Sequence, residues 1–370
     1  MDSELKVMHG LSEVAGQNSY SVMGLKKIGI EANCIVYQEH PFKYPYDKSL
    51  GIDKARRKLF PFYALKLGLF FIYALKKYNT FHFHFGRSIL NNIELPIYDL
   101  LHKKLFYEFH GSDLRDYKRF CDISGMPYDP AEETSIKLHI RNSRICKKAQ
   151  GIIVHDDELI PYLPETNRPV YVVPLRVDLG KFEPVYPTNS NNRIRIVHAP
   201  SKRAGKGTKY VMEIFNRLKK KYNNIELILV EGKSQQEALK IYKTADIIVD
   251  QLFAGTYGVF AIESMALGKP VITYISDEMK KKLPDELPIV SGDVNTLLNA
   301  LELLINDSKL RRKKGEDGRR YVENYHDYRS IAYVLTNIYL GKSVPKSGRE
   351  AFEQVKQIKN QIMGNGIDVQ

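Results

Sequence analysis

A chain of 370 residues is too long for one ordinary core and suggests two domains. Its 56 Lys and Arg against 43 Asp and Glu leave a formal charge of +13, which attracts anions: nucleic acid, acidic lipid headgroups or phosphorylated small molecules. Cys34, Cys121 and Cys146 are too scattered for a disulfide or metal framework, and "MDSELKVMHG" is too polar for a signal peptide, so the expectation is a reduced, cytoplasmic setting.

The first half alternates short apolar runs with helical stretches: "LKVMH", "CIVY", "FHFHF", "KLFYEFH", "GIIVH" and "VYVVPL" read as strands of a parallel sheet with crossover helices. Between the second and third of them lies "KARRKLFPFYALKLGLFFIYALKKYN". Its apolar part falls short of the roughly 20 residues that span a bilayer and is interrupted by Lys66, which excludes a transmembrane helix. Two readings stand: a basic, aromatic helix lying on an anionic membrane surface, peripheral on its inner face, or a crossover helix whose Lys54, Arg56, Arg57 and Lys58 form a solvated end. After Asp178 the segment "LGKFEPVYPTNSNNR" has no periodicity and reads as the domain boundary.

The second half restarts the pattern. Strand "RIRIVHA", a helix from Thr208, strand "IELILV", helix "QQEALKIYKTA", strand "DIIVD", helix "YGVFAIESMALG" and strand "PVITYI" make a second doubly wound unit. The expected organisation is residues 1–180 as one Rossmann-like domain and 193–325 as a second, with 326–341 as a helix returning to the first. In the tail, 342–370, Phe352, Val355, Ile358 and Ile362 share one helical face. The fold class is α/β, two doubly wound domains facing across a cleft, and binding loops are expected at the strand carboxyl ends.

Motifs fall at such ends. "HAPSKRAGKGT" places Arg203 and Lys206 in a glycine-bearing loop before a helix, where two cations and backbone amides suit a diphosphate; the alternative is a solvated basic turn. It has the spacing of neither a Walker loop nor a dinucleotide fingerprint. "DIIVDQLFAGTYG" leads into a helix with the amides of Gly255, Thr256, Tyr257 and Gly258 available to an anion. Glu263 follows two turns on, among Val259, Phe260, Ala266 and Leu267, and a carboxylate on an apolar face needs partners. Either a ribose diol supplies them or an internal base or backbone group does.

In the first half, Gly16 enters a helix where backbone could closely approach a substrate. His82 and His84 share a strand face, and His110 ends a strand in "YEFHGSD", where it could donate to a substrate hydroxyl or stabilise charge. No third metal ligand with convincing spacing accompanies the pair, so the expectation is no metal and a structural His82.

Together these residues resemble the GT-B fold glycosyltransferases of the large group called family four, over nearly the whole length to about Gly341. "YGVFAIESMALGKPVI" is similar to the family's donor segment, whose closing glutamate, here Glu263, holds the nucleotide ribose. "KRAGKGT" is similar to its diphosphate loop, with Lys206 matched by the following glycine and Arg203 displaced. "FHGSD" resembles the segment whose His, here His110, approaches the transferred sugar, and "AGQ" its first glycine loop, giving Gly16. The family's other glutamate, seven residues earlier and ascribed to that sugar, falls on Gly255 and is absent. The resemblance implies transfer of a sugar from a nucleotide diphosphate sugar to an acceptor hydroxyl, with retention, no cofactor and no metal. The basic helix favours a glycan or lipid-linked acceptor, as in surface polysaccharide or glycolipid synthesis. Alternatives are a nucleotide-sugar epimerase of the same fold and a noncatalytic basic binding protein; no nucleic-acid-binding signature is present, so nucleic acid is not an expected partner.

Overall fold

A computed structural model describes residues 4–53, 59–134, 136–188, 193–342, 344 and 348–364. The chain divides into two compact units, one of Met1–Tyr117, Ala131–Arg176 and Tyr328–Gln370, the other of Lys118–Pro130 and Val177–Asp327.

The first unit runs β1 (Lys6–Leu11), α1 (Gln17–Lys27), β2 (Glu31–Val36), β3 (Lys48–Ser49), α2 (Phe60–Lys77), β4 (Thr80–His84), α3 (Leu95–Leu100) and β5 (Lys104–Phe109). Helix α4 (Tyr117–Ser124) belongs from Lys118 on to the second unit, and the first resumes with α5 (Ile136–Lys148), β6 (Gly151–Val154) and β7 (Val170–Val172). All strand pairs are parallel, in the order β3-β2-β1-β4-β5-β6-β7. Covered on both faces, the central strands are buried along their whole length, which is why they read as unbroken apolar runs. β4 is the exception that matters. Phe81 and Phe83 pack on Tyr98 on one side, while His82 and His84 fill the opposite face.

Helix α2 begins with Pro61 in its first turn and ends on Lys76 and Lys77, both favourable to its dipole. Tyr63, Phe70, Phe71 and Ala74 are buried, whereas Phe60, Phe62, Leu65, Leu69 and Ile72 are exposed. It packs inward and still presents an apolar outer stripe. Lys54, Arg56, Arg57 and Lys58 lie outside the described residues. Among the described residues no helix is long and apolar enough to cross a membrane.

The second unit holds β8 (Ile194–His198), α6 (Arg203–Lys206), α7 (Thr208–Lys219), β9 (Ile225–Leu229), α8 (Gln235–Lys243), β10 (Ile247–Val249) and α9 (Val259–Ala266). It continues through β11 (Val271–Thr273), α10 (Asp277–Lys282), β12 (Val290–Ser291), α11 (Leu297–Asn306) and α12 (Ser308–Tyr325). Its parallel sheet has the order β12-β11-β10-β8-β9, so the strand order reverses between β8 and β10. The two-residue strands β3 and β12 have too little sequence to be recognised from pattern alone.

The chain then continues as α13 (Tyr328–Tyr339) and α14 (Gly348–Gly364) in the first unit. Ile331, Leu335 and Ile338 of α13 and Val355 of α14 join Val7, Val22, Leu25 and Cys34 in one apolar core. The segment after Asp178, read from sequence as a boundary linker, is instead anchored to the second unit. Phe182 is buried, its carbonyl accepts from Arg319 Nη1 at 2.5 Å, and the Val185 amide donates to the Leu267 carbonyl. Its irregularity reflects backbone satisfied by tertiary partners rather than by a ladder.

Candidate functional site

In an open parallel sheet the strand-order reversal leaves a crevice at the carboxyl ends, here those of β8 and β10. Of the predicted second-half residues, Lys206 and the Gly255–Gly258 turn are tied together there. Lys206 ends α6 in the loop after β8, and its Nζ lies 2.6 Å from Asp250 Oδ1 and 3.0 Å from Gln251 Oε1, both just beyond β10. Gln251 in turn donates through Nε2 to the Thr256 carbonyl at 2.6 Å, so one side chain ties the basic loop to the Gly255–Gly258 turn. Sequence reading did not single out Asp250 or Gln251, although both stand at a strand's carboxyl end.

Arg203 is not part of this cluster. Its guanidinium pairs with Glu231 at the end of the neighbouring strand segment, and both side chains are substantially exposed. Such a surface pair contributes little to stability. Tyr257 also does something other than face a ligand. Its ring is buried and its hydroxyl meets Tyr321 at 3.0 Å and His326 at 3.1 Å, pinning the turn to α12.

Gly255 has φ +70, and a Cβ there would stand 3.1 Å from Ser276 Cβ. The position that carries a glutamate in the resembled family is therefore built here for a residue without a side chain. Gly258 caps α9 without any side-chain cap bond, which leaves the first amides of the helix for another acceptor.

Glu263 lies in α9 and is half-buried. Among the described residues no hydrogen bond or ion pair reaches its carboxylate. Burial pushes its carboxyl up to about 7, against a partial opposing pull from the positive charge of Lys181. A carboxylate taken from water without a partner is unfavourable, and it becomes favourable when two hydroxyls donate to it.

In the first unit Gly16 caps α1 at φ +81, with the Tyr20 ring 2.5 Å from where a Cβ would be. His110, just past β5, has a side chain only 4 % exposed. It does not stand alone. His110 Nε2 meets His84 Nδ1 at 3.0 Å, His84 Nε2 meets His9 Nδ1 at 3.1 Å, and His9 Nε2 meets the Tyr339 hydroxyl at 3.0 Å. The Tyr339 hydroxyl also meets His82 Nδ1 at 2.6 Å, and His82 Nε2 lies 3.3 Å from Glu108. Arg176 Nη2 grips Glu108 at 2.5 Å, entirely buried. The parallel register puts His9 beside His82 and His84 beside Glu108, so neighbouring strands deliver these groups to one sheet face.

Burial holds His9 and His84 well below the ordinary imidazole range and brings His110 to about 3, so the rings are neutral. Burial also opposes the charge on Glu108, yet the buried Arg176 guanidinium holds its carboxyl well below the usual range. Two overlapping sets, His9 with His82 and His84, and His84 with Glu108 and His110, each bring ligand-type atoms within 4.8 Å of one another. The sequence offered no third ligand, because His9 and Glu108 join only through strand register. In both sets a nitrogen pair is already hydrogen-bonded, and Arg176 occupies Glu108, while His82 Nε2 is buried without a hydrogen-bond partner of its own.

No protein-family model and no curated protein sequence matches the chain. Solved structures do. Sucrose-phosphate synthase from Thermosynechococcus elongatus is similar at TM-score 0.64 and 17% identity, covering 91% of this chain and 98% of its own. HepE from Anabaena, solved with UDP-glucose, is similar at TM-score 0.61 and 10% identity, covering 91% of this chain and 100% of its own. The chain has the GT-B fold. A Listeria monocytogenes protein described as a UDP-N-acetylglucosamine 2-epimerase shares it at TM-score 0.53 and 11% identity, covering 93% of this chain and 99% of its own. Within this GT-B chain the two parallel sheets are those expected from the strand rhythm.

Proposed function

We propose that the chain is a glycosyltransferase that takes a sugar from a nucleoside diphosphate sugar and transfers it to an acceptor hydroxyl. The observation that carries this reading is Glu263, a half-buried carboxylate without a partner, in the helix that follows the β10 loop. A ribose presents two adjacent hydroxyl donors, and an ionised carboxylate accepts both. Lys206 and the uncapped amides of α9 then suit the diphosphate of the same ligand. HepE, with its UDP-glucose complex, and sucrose-phosphate synthase share the fold and agree with a donor of this class.

In this reading the bond from the anomeric carbon to the diphosphate oxygen breaks with its electron pair going to that oxygen, while the acceptor oxygen bonds the same carbon and gives up its proton to the departing diphosphate. Negative charge grows on the leaving diphosphate, where Lys206 and the helix amides stabilise it more in the transition state than in the ground state. Arg203, committed to Glu231, contributes less. Retention of configuration and independence of metal belong to the same proposal and rest on the family resemblance.

The acceptor side rests on the first unit. A cavity of about 1070 Å³ beside α2 is lined by Phe60, Tyr63, Leu67 and Ile93, with Arg87, Arg141 and Asp53 at its polar part. Apolar walls with two cations suit a lipid-linked phosphate acceptor, and the exposed stripe of α2 suits an anionic bilayer surface at the cytoplasmic side. Surface polysaccharide or glycolipid synthesis is the corresponding setting.

Calorimetric titration with a panel of nucleoside diphosphates tests the reading. One member binds the native chain, and Glu263→Ala weakens it by at least tenfold; equal affinity in both proteins would remove Glu263 from the site. The epimerase reading draws on the Listeria structure. Product analysis separates the two, since an epimerase alters the sugar without any acceptor present.

A further inference from the structure

We propose that Glu108 fixes the protonation of His110 through a one-way chain of hydrogen bonds, leaving His110 Nδ1 as a hydrogen-bond acceptor for a substrate hydroxyl. Four side chains connect the two ends in the order His82, Tyr339, His9, His84, the last meeting His110. A neutral imidazole has one N–H and one lone pair, and a phenol has one proton to give. Once any member is oriented, every other member follows.

Only two arrangements satisfy all four hydrogen bonds with neutral rings and also give the Tyr339 proton an acceptor, since a phenol oxygen accepting from both His82 and His9 would leave its own O–H without one. In one, His82 carries its proton on Nε2 and accepts from the Tyr339 hydroxyl; Tyr339 accepts from His9 Nε2, His9 Nδ1 from His84 Nε2, and His84 Nδ1 from His110 Nε2. His110 Nδ1 then ends the chain as a bare lone pair. In the other, every proton is reversed and His110 Nδ1 ends it as a donor. Glu108 decides between them. His82 Nε2 lies 3.3 Å from its carboxylate, so an N–H there is attracted and a lone pair repelled. The more distant contacts of Glu108, 3.8 Å to His84 Nδ1 and 4.0 Å to His110 Nε2, favour opposite arrangements and nearly cancel. Arg176 keeps Glu108 ionised, which makes the choice permanent.

Nothing else in the surroundings takes the outward nitrogen. Among the described residues His110 Nδ1 has no protein partner; Asp113 Oδ1 accepts from the His110 backbone amide, and neither Asp113 Oδ2 nor His155 Nδ1, both buried without partners, is hydrogen-bonded to it. His110 thus accepts a proton-bearing group rather than donating to one. Glu108, His82, Tyr339, His9 and His84 are positioning residues, and His110 is the member that meets substrate. That last role rests on the glycosyl-transfer reading; the tautomer does not.

The test uses full-length protein labelled with 15N-histidine and long-range proton–nitrogen spectra without ligand, so it stands independently of nucleotide binding. Wild-type His110, assigned by loss of its signals in His110→Asn, is expected as the Nε2–H form. Tyr339→Phe removes one hydroxyl, severs the chain and yields a mixture of both His110 forms. Glu108→Gln, where it folds, does the same. In turnover, Tyr339→Phe lowers kcat by about tenfold or more while the KM for donor holds within about twofold. An Nδ1–H form in the wild type, an unchanged form in folded Tyr339→Phe, or a zinc or cobalt ion bound by His84 and His110 in place of their hydrogen bond overturns the proposal.

Discussion

Lys206 Nζ stands 2.6 Å from Asp250 Oδ1, with Asp250 itself nearly fully buried, so the cation at the β8–β10 crevice is already compensated within the protein. A diphosphate must therefore compete with Asp250 for the ammonium. Asp250→Asn is expected to raise affinity for nucleoside diphosphates severalfold and to lower Tm, whereas Lys206→Ala weakens binding by about 10- to 100-fold, the worth of a charge-assisted contact. Calorimetry on both variants checks the pair.

Glu263 gives a pH signature with a definite sign. Its folded-state carboxyl titrates at about 7, above the ordinary 4.5, so between those values the native state holds more protons than the unfolded one. The associated stability is fully present below about 4.5 and is lost as pH rises through 7. Glu263→Gln removes that loss and is expected to stabilise the ligand-free protein at pH 8, read as a higher Tm, by at most about 3 kcal/mol and less once solvent screening is discounted. Nucleotide binding runs the other way in wild type, strengthening as pH rises through 7, because the diol needs the ionised acid.

The histidine chain carries the opposite sign. Burial lowers His9, His84 and His110, so the unfolded state binds protons first as pH falls below 6.5 and stability drops from there downward. Between pH 5 and 8 the His110 resonances are expected to stay fixed. A His110 titration midpoint near 6.5 would contradict a neutral, sheltered ring.

Placing at position 255 the glutamate of the resembled family is not expected to raise activity. Gly255→Glu forces a side chain onto φ +70 and against Ser276, at a cost of about 1–3 kcal/mol. Thermal melts of Gly255→Ala and Gly255→Glu should both fall, with no gain in turnover.

The outer stripe of α2 separates acceptor from donor effects. Leu65→Glu with Leu69→Glu changes two exposed positions and should leave Tm and nucleotide affinity unaltered. Sedimentation with vesicles containing anionic lipid should fall several-fold, and so should transfer to a lipid-linked acceptor.

Much of the architecture was readable along the chain. Buried parallel strands and the helices between them leave unbroken apolar runs and 3.6-residue periodicity, so β1, β2 and β4 to β11 could be placed from pattern alone. Glu263 was readable for a related reason, as a charge inside an apolar helix without any local partner. Arg203 was singled out equally well, but sequence could not tell that Glu231, 28 residues away, would take its charge.

What local pattern determined, then, was the two-sheet α/β design and the isolation of one acid. Tertiary structure alone decided which groups meet: Asp250 on Lys206, Tyr257 against Tyr321, and a line of histidines joined through Tyr339, which lies 330 residues from His9. Periodicity reports which face of an element is buried, because that depends on neighbours three or four residues away. Partners across a sheet depend on strand register and on the path of the returning helix, and no short stretch of sequence records either.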